Sequence, residues 1–257
     1  MDFRLAFSLS LLSIALLASP ARGDFKPFIE NGTPVARTEA LAQTVAMVQF
    51  KGGGWCSATF LSSRTLLTAG HCAEKKRAAD LTITLQNKNG SWEQRAASAL
   101  TAHPQYSHRV GWDKTHYIRN DVAIIQLATP FSFKVRTVKL TQAPTLMAAG
   151  QWQAITDAGY GYAKPSAEGA VLRRGSMEGR VTAIEAFEQR LGLDQRKNAA
   201  NQNACPGDSG GPVFLGDASS LQQLAVHSMA DGCTDDSKLT YSELLWPLRP
   251  WITAHIQ

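Results

Sequence analysis

Short apolar runs recur along the chain from residue 44 onward, each bounded by residues that favour turns. Residues 44–50, 57–61, 65–69, 81–85, 122–127, 213–215 and 224–227 are rich in Val, Ile, Leu and Thr. Gly, Pro, Asn and Asp fall between them, which is the signature of strands joined by turns. No long helical periodicity interrupts the series until the end. There Pro250 opens a stretch to Gln257 with Trp251, Ile252 and Ile256 spaced for one helix face,. Many short strands without intervening helices predict an antiparallel all-β sandwich or barrel rather than an α/β sheet. No repeat and no low-complexity linker divides the chain,.

The first residues follow a different pattern. Arg4 precedes an apolar stretch from residue 5 to 18, small residues follow, and Ala21-Arg22-Gly23 offers a cleavage site before Asp24. About 14 apolar-rich residues are too few to span a bilayer, which needs about 20. Residues 1–23 therefore read as a signal peptide. The expected destination is secreted, extracellular or periplasmic, with no stable membrane span. Export permits disulfides, and four cysteines, Cys56, Cys72, Cys205 and Cys233, allow three pairings,. Pairing of sequence neighbours would close loops of about 15 and about 27 residues, each stabilising by roughly 3 kcal/mol.

Composition narrows the classes. With 44% apolar and 18% charged residues the chain can bury a sizeable core,. The net charge of +5 is spread out apart from Lys75-Lys76-Arg77, which reads as a solvated loop, so nucleic acid is not an expected partner. No Cys/His group has zinc-ligand spacing, and neither a metal nor a cofactor is expected.

The candidate chemistry is nucleophilic. A serine hydroxyl needs a base within hydrogen-bond reach, itself oriented by a third group. Ser209 lies in Gly207-Asp208-Ser209-Gly210-Gly211-Pro212, where missing side chains let a substrate carbonyl approach the backbone. The amides of Gly207 and Ser209 are candidates for an oxyanion hole. His71 follows an apolar strand beside Cys72, and Asp121 opens the apolar run from 122. Gly207-x-Ser209-x-Gly211 also matches a nucleophile elbow, but that arrangement needs a strand–turn–helix unit and a later acid and histidine. Here a strand-like run follows, and the two later histidines, His227 and His255, lie in contexts that lend it no support.

Thr68-Ala69-Gly70-His71-Cys72, Asn120-Asp121-Val122-Ala123 and the Ser209 run, in that order, resemble the trypsin/chymotrypsin family of serine peptidases. Ile29-Glu30-Asn31-Gly32, His103-Pro104-Gln105-Tyr106 and Gly159-Tyr160-Gly161 extend the resemblance over residues 29–257. It implies two six-stranded antiparallel β-barrels, an active site in the cleft between them and a C-terminal helix. It also implies His71 as general base and acid, Asp121 as its orienting group, Ser209 as nucleophile and Ser228 as a hydrogen-bonding support for Asp121. The bridges it implies are Cys56–Cys72 and Cys205–Cys233. The implied partners are protein or peptide substrates and proteinaceous inhibitors, and a monomer is expected.

The resemblance further implies a short pro-segment, residues 24–28, cleaved between Phe28 and Ile29 so that the new amine pairs with Asp208. Phe28 departs from the basic residue usual at that junction. Asn203 stands where an Asp would select Lys or Arg, and Met229, Ala230 and Leu239 depart from the usual pocket walls. Small-to-medium apolar or polar side chains are therefore expected before the scissile bond. The competing readings are a catalytically silent binding protein of the same fold and a secreted esterase using the same residues.

Overall fold

The computed structural model describes residues 29, 31–110, 116–141, 152–161, 171–184, 190–196, 202–230 and 240–257. The signal peptide and pro-segment expected at residues 1–28 lie outside that set. After β1 (Thr33–Pro34) come β2 (Val45–Phe50), β3 (Trp55–Phe60) and β4 (Thr65–Thr68). The one-turn helix α1 (Gly70–Ala73) leads to β5 (Leu81–Gln86), β6 (Trp92–Ala102), the hairpin strands β7 (Ser107–Val110) and β8 (His116–Arg119), and β9 (Ala123–Leu127). The second half holds β10 (Lys139–Leu140), β11 (Gln153–Gly159), β12 (Arg173–Ile184), β13 (Arg190–Arg196), β14 (Pro212–Leu215), β15 (Gln222–Ala230) and β16 (Thr240–Leu244). Helix α2 (Arg249–Ala254) follows.

The first-half strands close in the order β2-β3-β4-β9-β6-β5 into a barrel. In the second half β12-β11-β14-β15-β16-β13 pair in sequence, and β13 pairs back with β12, so the path returns to its start. The large pairings are antiparallel, as the series of short strands without intervening helices predicts,. The exception is short: β10 runs parallel to β15.

Boundaries differ modestly from the pattern. The run expected at 57–61 begins earlier, at Trp55, and the C-terminal helix stops at Ala254. β6 has no forerunner in the sequence pattern, because Trp92-Glu93-Gln94-Arg95 is polar and the strand is mostly half-exposed.

One core cluster fills the first barrel with Val45, Val48, Phe60, Leu66, Ile83 and Ile125, and continues to Tyr160, Phe214 and Val226 of the second. A smaller cluster, Ile155, Met177, Val213, Leu224, Ala225 and Leu244, lies within the second half. The halves also meet through buried polar groups. Thr59 Oγ1 donates to Gln223 Oε1 at 2.8 Å, and Trp55 Nε1 donates to the Gly161 carbonyl at 2.6 Å. Helix α2 docks on the first barrel, where Trp251 stacks edge-on against His103 and Gln126 Nε2 donates to the His255 carbonyl at 2.7 Å.

Phe60 is fully buried, with its ring edge-on to Phe131 at 5.8 Å between centroids. Phe60→Ala removes that contact and leaves a cavity, so it should lower the unfolding free energy by about 3–5 kcal/mol. Urea denaturation measures this, and a loss under about 1 kcal/mol would contradict the packing described.

Candidate active site

β4 delivers the chain to Ala69, which is extended and precedes the turn of α1 that carries His71. That turn lies so close to its neighbours that a Cβ on Gly70 would stand 2.7 Å from the Tyr106 ring and 3.1 Å from Asp121 Oδ1. Glycine is required there by contact. The disulfide Cys56–Cys72 ties α1 back to β3. Cys205 is also disulfide-bonded, and its predicted partner Cys233 lies outside the described residues.

Asp121 has no exposed surface. Its Oδ1 accepts the His71 backbone amide at 2.7 Å, and its Oδ2 lies 2.8 Å from His71 Nδ1. Ser228 Oγ donates to the same Oδ2. Burial drives the carboxyl up, but the His71 charge and the hydrogen bonds from His71 and Ser228 hold it below the ordinary value,. For His71 burial opposes the cation, while the charge and hydrogen bond of Asp121, with Glu74 beyond, hold its pKa above the usual 6.5,. The His71 side chain keeps 23% exposure, so part of the ring stays open.

That opening is a cleft of about 330 Å³ whose walls include His71, Ser209, Met229, His227, His108 and Ile118. Two of the three residues predicted for the triad thus share one cleft, and the third lies directly behind His71. The turn carrying Ser209 is held by backbone bonds. Ser57 N donates to the Ser209 carbonyl at 2.8 Å, and Gly210 N donates to the His227 carbonyl at 2.8 Å. Among the described residues no acceptor receives the amide of Gly207 or of Ser209, so both donors stay available. Gly207 adopts φ +94°, a region that disfavours side chains,. A Cβ there would also press on the Gly161 carbonyl at 2.8 Å.

The chain belongs to the trypsin family. Its model, described as Trypsin, matches residues 29–252. Among relatives, "Trypsin iota" of Drosophila melanogaster is 25% identical over 215 residues, covering 80% of each chain. "Trypsin epsilon" of Drosophila erecta is 24% identical and covers 90% of each. "Transmembrane protease serine 11B" of Homo sapiens is 27% identical over 81% of this chain, which spans 51% of that relative. As a member of the family the chain is a serine endopeptidase, a hydrolase.

The remaining predicted positions fall out unevenly against the family pattern. Asn203 is buried, at 3% exposure, and is not among the residues lining the cleft, whereas Met229 is. Ala230 ends β15 opposite Thr240, and Leu239 lies outside the described residues. Ile29 is fully buried, its side chain close to Gly175. Among the described residues Asp208 makes no ion pair with it. Its Oδ1 accepts from Gly161 N and its Oδ2 from Cys205 N, both at 2.8 Å.

Three contributors escaped the motif reading. Ser57 Oγ donates to the Gly207 carbonyl at 3.1 Å and accepts from Tyr160 N at 2.9 Å. Glu243 Oε2 accepts the Asp121 amide at 3.0 Å. His227 lines the cleft. Only His227, one residue before Ser228, carried a usable sequence signal.

Burial pushes the Asp208 carboxyl up to about 7, against the pull of its two amide donors. A folded value above the unfolded 3.8 means the native state holds the extra proton between the two,. The stability Asp208 contributes is full below the unfolded value and is lost as pH rises towards about 7,. The chain should therefore lose urea stability between about pH 4.5 and about pH 7.5 relative to Asp208→Asn,. An Asp208→Asn chain that tracks the parent across that range would contradict this.

Proposed function

We propose that this chain is a secreted serine endopeptidase acting through His71, Asp121 and Ser209, and that it forms an acyl-enzyme on Ser209. The observation that carries the reading is the hydrogen-bonded unit Asp121–His71, braced by Ser228, opening on the same cleft as Ser209. His71 takes the Ser209 hydroxyl proton as the oxygen attacks the substrate carbonyl carbon. It then returns that proton to the leaving amine as the C–N bond breaks. Water, deprotonated by the same imidazole, next attacks the ester and frees Ser209. Asp121 keeps the tautomer with Nδ1 protonated and stabilises the imidazolium. The Gly207 and Ser209 amides receive the oxyanion, each worth about 2.7–4 kcal/mol.

Export by residues 1–23 and removal of residues 24–28 complete the reading. Cleavage before Ile29 gives an amine that can serve as the cation Asp208 lacks, and a buried carboxylate without a partner costs several kcal/mol, on the order of magnitude known for buried ions. For substrates, no carboxylate lines the cleft among the described residues, so Lys and Arg are disfavoured before the scissile bond.

Ser209→Ala should reduce kcat/KM on peptides on the order of 10⁶-fold and abolish labelling by a peptidyl phosphonate. With Ser209 intact, kcat/KM should rise with pH through a pKa above 6.5, because the base acts only when neutral,. Labelling of Ser209→Ala, or an activity limb set by a pKa well below 6.5, would refute the assignment. N-terminal sequencing of active enzyme should begin at Ile29, and a start at Asp24 would remove the activation step.

A further inference from the structure

One buried imidazole in the cleft has no part in the chemistry above. His227 lies on β15 with 2% exposure and lines the cleft together with Ser209. A register shift between His227 and Met229 breaks the strand's alternation, and so His227, Ser228 and Met229 all reach the lining,. The position is fixed against the nucleophile turn. His227 N donates to the Gly211 carbonyl at 2.9 Å, and the His227 carbonyl accepts from Gly210 N.

The ring is not there for packing alone. Its Nδ1 has no hydrogen-bond partner among the described residues and stands 3.8 Å from Asp157 Oδ2 on β11. Asp157 is itself buried. A buried nitrogen without a partner costs about 1–3 kcal/mol, which an aliphatic residue would avoid. With Nδ1 turned to Asp157, Nε2 is the ring nitrogen available to a ligand.

The cleft also has a charge preference. Among the described lining residues three are histidines and none is acidic, and the whole chain carries +5,. A cationic side chain would lose its water here without gaining a counter-charge. An aliphatic one would leave the imidazole unsatisfied. A carboxylate accepts from Nε2, while Asp157 supports the resulting imidazolium from the other edge.

We propose that His227, backed by Asp157, determines specificity by selecting peptide bonds that follow an acidic side chain. This rests on the reading of Ser209 as the peptidase nucleophile. Burial holds the free imidazole down to about 3, with His71 lowering it further and Asp121 opposing. Among the described residues those two and Asp157 are the titratable groups facing it, and Glu243 on the adjacent strand is turned to the Asp121 amide. The empty cleft therefore holds a neutral ring at neutral pH, and an acidic side chain enters with a proton.

The test uses the mature chain and four quenched peptides differing only at the residue before the scissile bond: Glu, Gln, Leu and Arg. Glu should be cleaved fastest near pH 6.5. The Glu/Gln ratio of kcat/KM should fall by up to about tenfold per pH unit above that, one proton being taken up; the His71 titration cancels in the ratio. His227→Val should lower the Glu/Leu ratio by about 100-fold. Preference for Leu or Arg over Glu, or a Glu/Gln ratio flat in pH, overturns the inference. The wild-type ratio decides alone should His227→Val fail to fold. Failure of a phosphonate to label wild-type Ser209 instead overturns the peptidase reading beneath it.

Discussion

A carboxylate with no exposed surface must be met by donors, and Asp121 is where both halves of the molecule meet that demand. The first half supplies the backbone amide and ring of His71. The second supplies the Ser228 hydroxyl from β15, and Glu243 on β16 accepts the Asp121 amide. Removing partners from such a buried ion is strongly destabilising, by about 3–5 kcal/mol. The relative placement of the halves is therefore constrained by one side chain, and the orientation of His71 follows from it. Gly70 belongs to the same constraint, since any side chain there would push into Tyr106 and Asp121.

The fold was readable where burial imposes an apolar run. β2, β4, β5, β9 and β14 each pack into a core and each announce themselves in sequence. β6 did not, because one of its faces meets water and its residues alternate among Ala, Glu, Gln and Arg. β12 and β13, rich in Arg and Gly, are similarly silent. The candidate site divides along the same physical line. His71, Asp121 and Ser209 stand in short local motifs, and the glycines beside His71 and Ser209 are demanded by close contacts nearby. Ser57, Glu243 and His227 matter only because strands distant in sequence pair in a particular register. An irregularity between His227 and Met229 in β15 brings His227 to the cleft; its place one residue before Ser228 hinted at the neighbourhood, but not at that irregularity.

Asp208 shows how the chain copes with a second buried acid. Two backbone amides take both carboxylate oxygens, so the turn before Ser209 already has a definite shape. Geometry and charge are satisfied separately here. The donors fix where the group sits, while its charge is left uncompensated, and that second deficit is the one a freed amine is suited to remove.

The reach of Ser57 has a consequence for the order in which the molecule comes together. Its hydroxyl and amide bond to partners 103 to 152 residues away: Tyr160, Gly207 and Ser209. Loop-closure entropy makes such contacts late ones. The shape of the Ser209 turn therefore depends on β3 of the first barrel as well as on its own motif. A nascent or half-folded chain carries every reactive group yet lacks their arrangement, so reactivity becomes a readout of completed folding.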